Sequence, residues 1–257
     1  MQNIDNNSYS GLEELLLSES MRNYNYFIVS KAMQNTNNTN QVVDFGAGIG
    51  TLSLIFRERF AISPLCVEID EFNKEYLLKR NFNFFNSLES LPNNSDLIFS
   101  SNTLEHIEDD LSILKDMKNN LNKDGKIYLF LPAKMILWSE LDEMVGHFRR
   151  YEPSEIRLKC KQAGLRVNKL YYVDSLGFFA SLLMRFTGYN SKNGIGSIAS
   201  LKFYDRWLFP ISKFLDKIGL RFLFGKNLIL VAENEQRVIK PIMKPSRQGH
   251  TIKNKKN

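Results

Sequence analysis

Val42-Val43-Asp44-Phe45-Gly46-Ala47-Gly48-Ile49-Gly50-Thr51 is an apolar run of strand type that enters a turn with three glycines and leaves it into a helix-type stretch. Glycines permit backbone angles that side chains forbid and let a ligand approach the main chain. The following helix adds unpaired amides and a partial positive charge at its start. Eighteen residues past Gly50, after the apolar run Leu65-Cys66-Val67, stands Glu68, placed to accept both hydroxyls of an adenosine ribose; Asp70 is the other candidate. The third glycine comes one place sooner than in Gly-x-Gly-x-x-Gly, leaving Thr51 where a dinucleotide fingerprint wants Gly. Asp44 would repel a pyrophosphate and attract an α-amino group. A ligand with an amine and an adenosine, but no phosphate, fits this set.

Outward from the turn, short apolar runs alternate with helical stretches. Strands are expected at 42–45, 64–69, 81–85, 96–100, 126–131, 167–173 and 227–232, with helices near 50–59, 71–80, 107–121 and 153–163. Runs that are apolar throughout suit strands covered on both faces, so the fold class is α/β, a Rossmann-like doubly wound sheet of seven strands. Residues 1–40 read as two N-terminal helices, the first with a capping box of Ser10 and Glu13. Residues 41–235 form the main domain, interrupted at 175–225 by an aromatic, helical cap insertion. There Pro210 is placed to open a helix, and Trp207, Ile211, Phe214, Leu215 and Ile218 recur at helical spacing.

The 257 residues carry a net charge of +6, but residues 236–257 hold seven Lys and Arg and no acid, so the rest is nearly neutral. That basic tail has too little apolar content to bury and reads as flexible. Cys66 and Cys160, far apart in sequence, form neither a metal pattern nor a secreted framework, and no residue set is assigned to a metal. The N-terminus lacks the features of a signal peptide, and a cytoplasmic protein is expected, with a peripheral place at the inner face of the membrane as a variant.

The ordered motifs resemble those of the class I S-adenosylmethionine-dependent methyltransferases. Asp44 to Gly50 match their Asp-x-Gly-x-Gly-x-Gly loop, and Glu68 matches their acidic ribose ligand. Ser95 to Ile107 look like the fourth-strand segment of the small-molecule branch, and Leu121 to Lys126 like the turn before the fifth strand; the likeness covers about residues 20 to 173. The resemblance implies a mostly parallel sheet with the last strand antiparallel, and S-adenosyl-L-methionine across the carboxyl ends of strands one, two and four. It implies cofactor contacts from Asp44, Gly46, Gly48, Gly50, Glu68, Asn86 and Asn102. The chain departs from the family at Asn86-Ser87, where an Asp near the adenine is common. Asn86 is either an adenine ligand or a surface turn residue.

The acceptor is narrowed by what is missing. No Asn/Asp-Pro-Pro-aromatic tetrapeptide follows strand four and neither cysteine follows a proline, so no nucleic acid is expected. Gly146-His147-Phe148-Arg149-Arg150-Tyr151 resembles a Gly-His-x-Arg-Arg-Tyr element in a subset of these enzymes often linked with polysaccharide or lipid biosynthesis. His147, ahead of His106, is the candidate general base, and Arg149, Arg150 and Tyr151 are candidate acceptor ligands. The alternative is that these residues pin the loop through ion pairs with Asp142 and Glu143. The insertion is expected to cap the acceptor site, with plain core packing against the sheet as the alternative, and it or the basic tail is the candidate for peripheral membrane contact. The expected function is methylation of a small molecule or a glycan or lipid intermediate. A noncatalytic scaffold that binds a partner or membrane is the second reading, and a nicotinamide oxidoreductase the third.

Overall fold

A computed structural model of the chain describes residues 11–36, 40–92, 94–188 and 197–235. Two leading helices, α1 (Leu12–Ser18) and α2 (Arg22–Met33), precede β1 (Val42–Phe45), α3 (Thr51–Phe60), β2 (Leu65–Val67), α4 (Glu71–Lys79) and β3 (Phe84–Phe85). Next come β4 (Ser95–Ser101), α5 (Asp110–Asn119), β5 (Leu121–Pro132), α6 (Glu140–Met144), α7 (Pro153–Gln162) and β6 (Leu165–Val173). The insertion supplies α8 (Ser175–Thr187), α9 (Ile198–Phe203) and α10 (Phe209–Lys217), and β7 (Asn227–Asn234) closes the order. Ser10 and the basic tail at 236–257 lie outside the described residues; α1 begins after Gly11.

The seven strands form one sheet in the order β3-β2-β1-β4-β5-β7-β6. Pairing is parallel from β3 to β5, and β7 runs antiparallel between β5 and β6. Alternate residues of the central strands enter opposite cores, as the two-residue period of a strand requires. Val43, Ile98 and Leu129 face α5 and α7 with Leu114 and Ile156, while Val42, Phe99 and Phe130 face α2 and α3 with Ile28 and Phe56.

Three expectations shift. The third strand shrinks to two residues because Asn81 takes a left-handed conformation (φ 55°) and Phe82 turns into a small core with Leu77 and Cys66. The fifth strand starts early, at Leu121, with an irregular register opposite Ser95 and Leu97. The 133–152 loop contains a short helix, α6, whose Ser139 and Asp142 form a capping box.

The insertion departs most. Pro210 stands in the first turn of α10, where the sequence placed it, but α10 is not a separate helix: it continues from α9 through a wide π-type turn at Tyr204–Leu208, which accommodates a residue with no N–H to give. Trp207, Ile211, Phe214 and Ile218 do not pack on the sheet; each is more than half exposed. The buried side of this run carries Asp205, Phe209, Ser212 and Asp216 instead. Asp216 accepts hydrogen bonds from the Asp174 and Ser175 amides, and Ser212 and Tyr204 donate to Asp174. Asp205 takes the Asn23 and Tyr24 amides at 3.0 and 2.8 Å, so a carboxylate 182 positions away in sequence caps α2, which has no side-chain cap of its own. Among the described residues, no helix is long and apolar enough to cross a membrane.

Asp205→Ala should therefore loosen the start of α2 and its seat on the insertion together. Loss of two charge-assisted bonds predicts about 3 kcal/mol of lost stability, a fall of roughly 6–12 °C in thermal midpoint. A scan showing no change would mean that α2 does not depend on this cap.

Candidate active site

The glycine turn sits at the carboxyl end of β1. Gly46, Gly48 and Gly50 all have positive φ (75°, 54° and 81°), and the neighbours fill the space where side chains would stand. A Cβ on Gly46 would fall 2.2 Å from the Thr103 side chain, and one on Gly50 would fall 2.8 Å from Leu77. Leu15 of α1 lies over Gly48, and α1 is tied down at its end by Glu19, which accepts from Thr51 and pairs with Arg80.

Glu68 is 7% exposed, and one of its oxygens accepts the Gly48 amide at 2.7 Å. Its other oxygen accepts the Ile69 and Asp70 amides, both at 2.9 Å. Asp70 faces the other way and caps α4 by accepting the Asn73 amide. That divides the two acids left open by the sequence: Asp70 is spent on a helix, while Glu68 is at the turn with lone pairs to spare. Asp44 is buried beneath the turn and accepts the Ser53 hydroxyl at 2.6 Å. Burial raises its carboxyl to about 7; the Ser53 bond opposes this and the Glu68 charge adds to it. Asn86, after β3, and Asn102, after β4 with φ 49°, are both exposed on the same carboxyl edge of the sheet.

A second group of side chains gathers beyond β4 and β5. Glu105 and His106 lie in a single helical turn after β4, and His147 comes from the loop after α6. The two imidazoles meet edge to face with centroids 4.5 Å apart. His147 Nδ1 is 2.8 Å from Asp142 Oδ1, and its Nε2 is 3.9 Å from Glu105 Oε1. Burial tends to raise the Asp142 carboxyl, but the His147 bond and the Arg150 guanidinium outweigh it and hold it below its usual range. Burial and the neighbouring His147 push His106 down to about 4, and burial lifts Glu105 to about 8 against its own backbone amide and Arg150.

Arg149, Arg150 and Tyr151, the candidate acceptor ligands, already have partners within the protein. Arg150 is buried and donates to Asp142 and the Ala133 carbonyl; Tyr151 is fully buried and donates to Asp110. Arg149 pairs with Asp110 and donates to the Glu108 carbonyl. These side chains pin the loop, through Asp142 as the sequence alternative held and through Asp110 in place of Glu143, which accepts from Trp138 instead. Glu105, absent from the sequence assignment, belongs to the same group; its place next to His106 in the turn after β4 was its one signal.

A cavity of about 380 Å³ separates α1 from the insertion, lined by Leu17, Met21, Leu141, Met184, Tyr204 and Leu208, with Glu14 and Lys226 as its charged residues. Burial lowers the Lys226 ammonium from its ordinary value, partly offset by Asp174.

Residues 19–170 match the family model described as a methyltransferase domain. The chain belongs to that family, the class I S-adenosylmethionine-dependent methyltransferases. Solved structures agree in fold. A complex of the Trm112 methyltransferase activator with a protein assigned as a methyltransferase, from Haloferax volcanii, aligns with TM-score 0.56 at 14% identity over 84% of this chain and 91% of that one. A SAM-dependent methyltransferase from Archaeoglobus fulgidus aligns with TM-score 0.55 at 17% identity over 86% and 99%. Phosphoethanolamine N-methyltransferase 2 from Haemonchus contortus, in complex with S-adenosyl-L-methionine, aligns with TM-score 0.55 at 17% identity over 83% and 53%. No curated protein matched the sequence. The cofactor of this methyltransferase domain is S-adenosylmethionine, and the groups at the turn are compatible with it: a carboxylate with spare lone pairs at Glu68, a buried acid at Asp44, and a turn without side chains.

The raised Asp44 carboxyl has a consequence for stability. An acid protonated in the fold but ionised when unfolded adds stability below the ordinary aspartate range, and that stability is lost as pH climbs to about 7. Asp44→Asn should match the parent protein at pH 4 and exceed it at pH 8 by up to about 4 kcal/mol. Thermal scans at the two pH values that showed the same difference would contradict this.

Proposed function

We propose that the chain transfers a methyl group from S-adenosylmethionine to a small molecule or a glycan- or lipid-linked biosynthetic intermediate with a sizeable apolar part. The observation that carries the donor half is Glu68, fastened to the Gly48 amide at the rim of the glycine turn. When bound, the cofactor supplies a methyl carbon activated by its sulfonium. Glu68 accepts the ribose hydroxyls, and Asp44 offers a buried negative charge to the amine end, which in turn favours its ionised form. Asn86 and Asn102 border the same edge and are proposed as further cofactor contacts. In-line transfer mainly requires alignment and exclusion of water, which α1 provides by covering the turn.

On the acceptor side, His147 is the favoured base over His106. Asp142 fixes its ring through Nδ1 and leaves Nε2, 3.9 Å from Glu105, without a close partner among the described residues. A hydroxyl acceptor would hand its proton there; a carboxylate acceptor would need positioning alone. The apolar lining of the cavity beneath the insertion supports an acceptor with an acyl, prenyl or aromatic portion. Trp207, Ile211, Phe214 and Ile218, exposed beside Arg206, Lys213 and Lys217, support contact with an anionic membrane surface on which a lipid-linked acceptor would be presented.

Titration calorimetry tests the donor half. Glu68→Ala removes charged hydrogen bonds and should weaken S-adenosylmethionine binding at least about tenfold, and unchanged affinity would reject the assignment. Sedimentation with vesicles containing anionic phospholipid tests the membrane half. Ile211→Asp together with Phe214→Asp should release most of the bound protein without lowering the thermal midpoint, because both side chains are already exposed. Equal vesicle binding by both proteins would remove the surface role.

A further inference from the structure

We propose that Glu105, His106 and His147 form a binding site for a divalent transition-metal ion of the type taken by two imidazoles and a carboxylate, with Zn2+ the leading candidate. Each of the three residues offers one ligand atom, and those atoms all lie within 4.8 Å of one another. Ligands at about 2.0–2.2 Å from a tetrahedral ion stand roughly 3.4 Å apart, so the widest separation, up to 4.8 Å, needs to contract by about 1.4 Å.

Three observations point to a cation rather than to a merely packed cluster. Glu105 is fully buried, yet neither of its carboxylate oxygens has a hydrogen-bond partner of normal geometry, while Oε1 lies 3.9 Å from His147 Nε2. A buried carboxylate is normally paired, hydrogen-bonded or on a metal, and beyond the 3.9 Å approach of His147 this one has no hydrogen-bonded partner on either oxygen among the described residues. Second, His147 is oriented as metal-binding histidines are: Nδ1 faces the Asp142 carboxylate and Nε2 faces the site. Asp142 is itself held by Arg150 Nε at 2.9 Å and by the Ser139 amide and hydroxyl at 2.9 and 3.2 Å, so the supporting shell is complete. Third, the set is of mixed oxygen and nitrogen donors and supplies three ligands, leaving at least one position open, as in catalytic rather than structural zinc sites. The exposed Phe148 and the partly exposed His147 mark the entry side.

The role of such an ion rests on the methyl-transfer reading. At the carboxyl edge of β4, its open position would take an oxygen donor of the acceptor and increase that group's acidity. His147 would then be a ligand, not the base. Ion binding itself does not depend on that reading.

The test uses the untagged full chain, stripped with chelator and titrated with Zn2+ by calorimetry and with Co2+ by visible absorption. One ion per chain is expected, with the Co2+ bands of a low-coordinate nitrogen and oxygen site. Glu105→Gln and His147→Ala should each weaken Zn2+ binding at least about a hundredfold, and Asp142→Asn about 10- to 100-fold through the orientation of His147. S-adenosylmethionine affinity, measured alongside, should stay unchanged in all three. Absence of stoichiometric Zn2+ binding and of Co2+ bands in the parent protein overturns the site, whatever the variants do, and so does unaltered binding in folded variants. Failure of the parent protein to bind S-adenosylmethionine would instead overturn the methyl-transfer reading and leave the zinc isotherm to decide this one.

Discussion

Three left-handed glycines within five positions can be held together only where no side chain competes for the space, and in this chain that space is filled by four other parts of the fold. Thr103 from the exit of β4 occupies the place of a Gly46 side chain, Leu77 of α4 that of Gly50, and Leu15 of α1 lies over Gly48. Glu68 at the end of β2 closes the set through the Gly48 amide. The turn is thus less a flexible loop than a socket against which β2, β4, α1 and α4 are registered. The acid expected to hold the cofactor ribose is also an element that fixes the turn.

The group of side chains beyond β4 and β5 depends on buried charge. Asp142 gathers His147, Arg150 and Ser139, and Asp110 gathers Arg149, Tyr151 and Lys159. Two acids inside a low-dielectric region are tolerable because each is surrounded by donors, and the same donors hold the loop between β5 and α7 against the sheet. Glu105 breaks the pattern: it is equally buried and lacks such donors. Its high carboxyl pKa and the depressed one of His106 follow from the same enclosure.

The insertion reverses the usual polarity of a surface helix. Its carboxylates turn inward to serve backbone amides at the starts of α2 and α8, and Trp207, Ile211, Phe214 and Ile218 turn outward. Inward polar groups are stable here because each meets a donor. An outward apolar stripe flanked by cations has no such compensation in water, which is why a surface partner is sought for it.

Much of the architecture was legible in the residues themselves. Strand and helix alternation, the glycine turn and an acid near position 68 are local signals of period, backbone conformation and spacing, and they survive whatever the chain later packs against. Choices among equals were not. Glu68 and Asp70 differ by two positions, and only the start of α4 consumes the second. Arg150 and Tyr151 look like ligands until the fold shows what they already hold. The apolar periodicity of α10 states that one face is apolar but not which way it points. The meeting of Glu105 and His106 with His147 depends on β4 and β5 lying side by side, a long-range contact that no local pattern encodes.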